Sequence, residues 1–132
     1  MLRYMLDTNI CIYVIKNYPA ELRERFNQLA EQLRIASITL GGLHYGAEKS
    51  ARRFDNLQAI EHFCARLEVL SFSARAAAHY GQIRAELEHA GRPAGPYDMM
   101  IGGHARSEGL VLVTNNVREF ERMSGLRIED WL

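Results

Sequence analysis

Three polar clusters stand where chemistry is possible: Asp7-Thr8-Asn9 near the start, Asp98 late in the chain, and Thr114-Asn115-Asn116 with Glu119 one helical turn beyond. Carboxylates repel one another when gathered, so a protein that gathers them does so mainly around a cation. Oxygen ligands select a hard one, Mg²⁺ or Mn²⁺. Beside a phosphodiester such an ion helps form hydroxide and stabilises the charge developing on phosphate oxygens. The residue types also admit a simpler reading, since Asp7, Thr8 and Asp98 are all good at capping helices.

The elements around these clusters decide whether they can meet. Leu2, Tyr4, Met5 and Leu6 read as a short buried strand, and a carboxylate at the carboxyl end of such a strand sits where α/β sheets bind ligands. Residues 8–16, with Ile10, Ile12, Tyr13, Val14 and Ile15, read as a short buried helix that Tyr18-Pro19 ends. Residues 20–32 carry Leu22, Phe26 and Leu29 on one stripe of an amphipathic helix. A second strand is expected over 34–38, and Ser37 or Thr39 opens a helix reaching Ser50. Gly41, Gly42 and Gly46 fall inside that helix, where each costs about 1 kcal/mol relative to Ala. Close packing accounts for Gly46; nothing in the fold accounts for the Gly41-Gly42 pair.

Residues 55–67 give a further amphipathic helix and 68–70 a third strand. Ser73 caps the longest helix, whose Ala74, Ala76, Ala77 and Ala78 imply close helix contacts and which Gly91-Arg92-Pro93 ends. Pro96 suits the first turn of the next helix. Leu110-Val111-Leu112-Val113 is the clearest strand, 117–123 a short helix and 126–128 an edge strand. This βα alternation predicts one domain over 1–132, a three-layer α/β/α sandwich with a mainly parallel sheet. Right-handed connections would then bring Asp7, Asp98, Asn116 and Glu119 to one side of it.

Composition narrows the partners. Sixteen Lys and Arg balance sixteen Asp and Glu, so any binding of RNA must come from local patches. Cys11 and Cys64 lie in apolar segments without metal-ligand spacing and read as reduced core cysteines. His62, His79 and His89 are scattered and read as structural or exposed. No apolar run approaches the roughly 20 residues of a membrane helix, and no signal-peptide pattern precedes Asp7, so a soluble, cytoplasmic protein with no membrane partner is expected.

Several runs carry a family resemblance: 5–13 (MLDTNICIY), 45–50 (YGAEKS), 91–98 (GRPAGPYD), 113–122 (VTNNVREFER) and 125–131 (GLRIEDW). In order and over nearly the full length, they resemble the VapC toxins of the PIN-domain family. The resemblance implies a Mg²⁺-dependent endoribonuclease (Mn²⁺ an alternative), the toxin half of a type II toxin–antitoxin pair. Enterobacterial-type members cut initiator tRNA in the anticodon stem-loop and stop translation. Asp7 and Asp98 match the two family aspartates that hold the metal. Asn116 matches the polar position after the last central strand, and Glu119 is a nearby fourth acid; Thr8 or Thr114 would support them through hydroxyl contacts.

One position departs from that pattern. The family's helix after the second strand carries an acid two residues after Thr-Leu, and here that residue is Gly42. Glycine offers no ligand atom, and Ile38, Thr39, Tyr45 and Gly46, a turn away, offer no carboxylate. The chain is either altered to disarm a toxic enzyme or naturally weakened, and activity reduced by about 10²-fold or more is expected. The competing reading is a catalytically silent PIN domain that only binds antitoxin or RNA. A haloacid-dehalogenase-like phosphatase is disfavoured, because Asn9 stands where its second aspartate would be. Lys49, Arg52, Arg53 and Arg118 are the candidate RNA contacts. The resemblance further implies a VapB-like antitoxin over a groove lined by residues 10–15 and 20–32, a toxin homodimer, and a hetero-oligomer with antitoxin.

Overall fold

The computed structural model describes residues 3–132; Leu2, expected in the first strand, lies outside them. The order is β1 (Tyr4–Leu6), α1 (Thr8–Ile15), α2 (Ala20–Leu29), β2 (Leu33–Ala36), α3 (Ser37–Glu48), α4 (Arg53–Cys64), β3 (Glu68–Leu70), α5 (Ala74–His89), α6 (Pro96–Ser107), β4 (Val111–Val113), α7 (Val117–Phe120) and β5 (Ile128–Glu129). All neighbouring strands pair in parallel, in the order β3-β2-β1-β4-β5. The expected α/β sandwich is therefore present. The 20–32 helix is shorter than expected, its last turn tightening into a 3₁₀ segment, Ala30–Gln32. The 117–123 helix stops at Phe120.

Strand alternation divides the core. Leu6, Ile35 and Val113 pack on one face with Ile10, Val14, Phe26 and Phe63. Met5, Ala36 and Leu112 pack on the other with Ile83, Met99, Ile101 and Phe120. Adjacent residues of one strand thus feed opposite layers, as a period of two requires. Both faces are covered by helices, which is why β1 and β4 carry no charged residue; β2 carries one, Arg34, paired with Glu68 of β3.

The chain leaves β1 toward β2 and β3 on one side and reaches β4 and β5 on the other. The strand order reverses between β1 and β4, and at such a switch point the connections diverge and leave a crevice at the carboxyl ends of the strands. Backbone ties the two strands together there: Val111 to Val113 pair with Tyr4 to Leu6, and the Asp7 N–H donates to the Val113 carbonyl at 2.9 Å.

Ser73 caps α5, its hydroxyl accepting from the Ala76 N–H. Ser37 does not cap α3, which starts after Ala36 without a side-chain cap. Its hydroxyl instead accepts from the Phe72 N–H at 3.2 Å, tying α3 to the segment after β3. The α5–α6 contact fulfils the expectation raised by the alanine run. A Cβ on Gly103 would stand 2.7 Å from the Tyr80 backbone nitrogen, so the two helices meet backbone to backbone.

Candidate active site

Asp7 occupies the first residue beyond β1 and is buried. It caps α1, Oδ1 accepting from the Thr8 N–H at 2.8 Å, and its other oxygen accepts from the Thr114 hydroxyl at 2.8 Å. That hydroxyl in turn accepts from the Asn116 N–H at 2.9 Å, which directs the Thr114 proton at Asp7. Capping and site-building are thus the same arrangement, and Asp7 is fixed at both oxygens. Burial pushes its carboxyl above the ordinary value; the hydrogen bonds from Thr114 and Thr8 oppose that rise.

Asp98 lies in the first turn of α6, whose cap is Gly95 and whose first residue is Pro96. It does not cap the helix. A helix N-terminus favours an anion by about 0.3–1 kcal/mol, yet Asp98 is pushed up to about 6. Burial is the main cause, followed by the negative charges of Asp7 and Glu119. Desolvation and like charge outweigh the helix dipole here. The same fact locates the site: three carboxylates from α6, α7 and the end of β1 share one electrostatic neighbourhood at the switch point.

Glu119 is held by Arg122, whose Nη2 lies 2.8 Å from Oε2. Arg122 also donates to the Arg92 carbonyl at 3.3 Å, joining α7 to the loop before α6. The sequence reading missed this residue, although its i,i+3 spacing from Glu119 was visible. Asn116 is half-buried and begins α7; its backbone N–H, not its side chain, makes the recorded contact. Thr8 faces α3, its hydroxyl 3.5 Å from that of Thr39.

Gly42 faces the site. A Cβ built there would come 3.7 Å from the Thr8 Cγ2, an ordinary contact, so space for a side chain is present. His44 and Glu48 line a different hollow, with Leu57 and Cys64, so neither replaces the missing carboxylate. The groove beside Asp7 is walled by α3 and α6, with Thr8 at its end. In the two helices expected to line the antitoxin groove, Ile10, Cys11, Val14, Leu22 and Phe26 are buried in the core.

The candidate RNA contacts differ in freedom. Arg52 pairs with Asp55 and Arg53 with Glu48. Lys49 lies over the Tyr45 ring, 4.7 Å from its centre, and Arg118 is exposed on α7. Cys11 is buried and Cys64 half-buried, both as free thiols, as read from their apolar surroundings.

Residues 4–126 match the model of the PIN domain. The chain belongs to the PIN domain family. Within it the similarity is to VapC proteins: 61% identity over 131 residues, 99% of both chains, to the tRNA(fMet)-specific endonuclease VapC of Shigella flexneri. Identity is 53% over 132 residues, all of both chains, to Ribonuclease VapC2 of Haemophilus influenzae. The fold matches VapC of the DNA-bound VapBC crystal structure from Salmonella typhimurium at a TM-score of 0.95, with 60% identity and complete coverage of both chains. It matches VapBC2 from Rickettsia felis, bound to a DNA fragment from their promoter, at 0.94 with 40% identity, covering 99% of this chain and 100% of that one.

The metal that a PIN site implies is tested by the donors this VapC-type chain presents. Among the described residues, no three Asp, Glu, His or Cys side chains converge closely enough to hold an ion. Asp7 and Asp98 remain, and Mg²⁺ is commonly held by one or two carboxylates with waters and substrate phosphates completing its shell. The donor set therefore fits a hard cation held weakly until substrate supplies oxygens. Among the described residues no helix is long and apolar enough to cross a membrane.

Proposed function

We propose that this chain is the toxin of a VapB–VapC type pair: an endoribonuclease that uses Mg²⁺, or Mn²⁺, to cut tRNA(fMet) in the anticodon stem-loop, with activity lowered by Gly42. The observation that carries the reading is the shared crevice of Asp7 and Asp98, whose charges are close enough that Asp7 helps raise Asp98 to about 6. A buried acid beside a half-buried one at a switch point is costly to maintain without a cation to offset the repulsion.

Asp7 and Asp98 are the residues that would hold the ion, with Asn116 and Glu119 beside them. When bound, the ion polarises phosphate oxygens and acidifies water. Asp7, anchored by the Thr8 N–H and Thr114, supplies a fixed carboxylate. Asp98, the other carboxylate of the pair, takes the proton of the attacking water. The water oxygen bonds to phosphorus, and the bond from phosphorus to one flanking sugar oxygen breaks. Glu119, tied to Arg122, adds negative field that keeps a cation in place. Lys49, Arg52, Arg53 and Arg118 supply phosphate contacts.

The VapBC complexes among the solved relatives support a VapB-like antitoxin as partner, and the family resemblance implies that the C-terminal segment of that partner lies over the acidic crevice. A toxin homodimer and a hetero-oligomer with antitoxin, in the cytoplasm, complete the proposal. A silent binding module is favoured by one specific observation, the missing carboxylate at Gly42, and the same experiment separates the two. Mn²⁺ is titrated into the chain and into Gly42→Glu, and both are assayed on tRNA(fMet). Tighter Mn²⁺ and faster specific cleavage by the variant support a weakened nuclease; equal affinity and equal cleavage refute the role given to Gly42. Antitoxin binding with no cleavage by either protein establishes the silent module.

A further inference from the structure

Next to the acids lies a groove of about 630 Å³ whose walls include Ile38, Gly41, Gly42 and Tyr45 from α3 and Tyr97 and Ile101 from α6. None of its lining residues is charged. Tyr45 and Tyr97 are 65% and 69% exposed, which is unusual for rings that flank a depression. Between them α3 contributes no side chain at two successive positions, because a Cβ at Gly41 meets nothing and one at Gly42 only Thr8. The groove is continuous with the acids through the chain itself: Tyr97 precedes Asp98, and Thr8 follows Asp7. At its outer wall the Lys49 ammonium rests 4.7 Å from the centre of the Tyr45 ring.

Exposed rings beside a cation form the arrangement on which single-stranded nucleic acid is held. The bases stack on aromatic faces and the backbone passes a positive group, with each stacked base contributing about 1–3 kcal/mol. A phosphate near Lys49 would lie one wall away from the rings. We infer that the Tyr45–Tyr97 groove is a base-binding subsite, in which an unstacked nucleobase of single-stranded RNA lies over the gap at Gly41-Gly42 and positions the adjoining phosphodiester toward Asp7 and Asp98. The inference rests on the ribonuclease reading and adds a substrate contact to it.

The subsite can be tested without cleavage. Binding of a fluorescently labelled RNA hairpin with a seven-nucleotide loop is measured in EDTA by anisotropy, for the full chain and for Tyr45→Ala, Tyr45→Phe, Tyr97→Ala and Tyr97→Phe. Each alanine variant should weaken binding by about 5- to 100-fold, the range set by loss of one stacked base. Each phenylalanine variant should bind within about twofold of the native chain, because stacking needs the ring and not the hydroxyl. The salt dependence of the alanine variants should match the native slope, since no phosphate contact is removed. Affinity unchanged in both alanine variants, or a loss that phenylalanine does not restore, overturns the subsite. A loss confined to binding of a VapB-like antitoxin also overturns it and gives the groove to that protein. Cleavage of tRNA(fMet) by the native chain, and its loss in Asp7→Asn, reports on the nuclease reading separately, so either idea can fail alone.

Discussion

Two helices carry the same dipeptide, and its meaning differs completely between them. In α6, Gly102 and Gly103 are required by packing: added Cβ atoms would come 2.5 Å from the Met123 sulfur and 2.7 Å from the Tyr80 backbone nitrogen. In α3, Gly41 and Gly42 are exposed and meet almost nothing, and Gly46, expected to permit close packing, likewise has nothing within 4 Å of an added Cβ. Gly103 lets α5 approach α6, while Gly102 admits Phe120, Met123 and Leu126 on another side, and together they fix where α6 lies, hence where Asp98 stands. The second pair gives up helix stability without a packing return, beside the acids and between two exposed tyrosines. A glycine in a helix therefore signals close approach only where something approaches.

The largest effect expected from breaking this comparison is at Gly103. Gly103→Ala should destabilise the fold by about 3 kcal/mol, since the obstacle is Tyr80 backbone and not a side chain that can turn away. Urea denaturation measures it, and a loss below about 0.5 kcal/mol would show that the helices can separate at little cost.

Gly42→Glu comes next. It should tighten Mn²⁺ and raise specific cleavage about 10²-fold, the scale of adding one electrostatic group to a reacting centre. Gly42→Ala should leave cleavage unchanged while stabilising the helix by about 1 kcal/mol, which separates the carboxylate from the helix effect.

Asp98→Asn addresses the charge cluster. The folded protein holds the Asp98 proton up to about 6, whereas an unperturbed aspartate releases it near 3.8. The neutral form's contribution is therefore fully present below 3.8 and lost as pH rises through about 6. In EDTA the asparagine variant should be more stable than the parent at pH 7.5, by about 1 kcal/mol after allowance for partial exposure, and equal to it near pH 3.5. Cleavage by the asparagine variant should be abolished, which an assay on tRNA(fMet) measures. A pH-independent stability difference would remove like-charge crowding as the cause.

The smallest effect is at Gly41. Gly41→Ala should raise stability by about 0.5–1 kcal/mol, read as a few degrees in thermal midpoint, because space is open and helix propensity alone decides.

Much of this was legible in the chain. The apolar runs at 4–6 and 110–113, each ending in polar residues, identified the strands whose ends build the site, because a strand buried on both faces tolerates no polar residue until it stops. Ser73 and Pro96 marked helix starts through local chemistry that needs no tertiary partner. Arg122 and the tyrosine groove were not legible. Arg122, just past the end of α7, reaches back to Glu119 and across to a loop thirty positions away, and Tyr45 and Tyr97 share one groove only because the fold brings α3 against α6. His104 was also missed: it is buried against Phe72 with neither ring nitrogen hydrogen-bonded, in a run that reads as an ordinary amphipathic helix.

The amino-acid sequence by itself determined the alternation of strands and helices, the family resemblance, the identity of Asp7 and Asp98 as the pair of interest, and the absence of a carboxylate at Gly42. These depend on residue type and near spacing, which a linear chain records directly. Only the tertiary structure decided that Asp7 caps a helix with both oxygens hydrogen-bonded, that burial and like charge raise Asp98, and that one glycine pair is a contact and the other a gap. Burial, like-charge proximity and empty space are properties of neighbours distant in the chain, and folding alone supplies them.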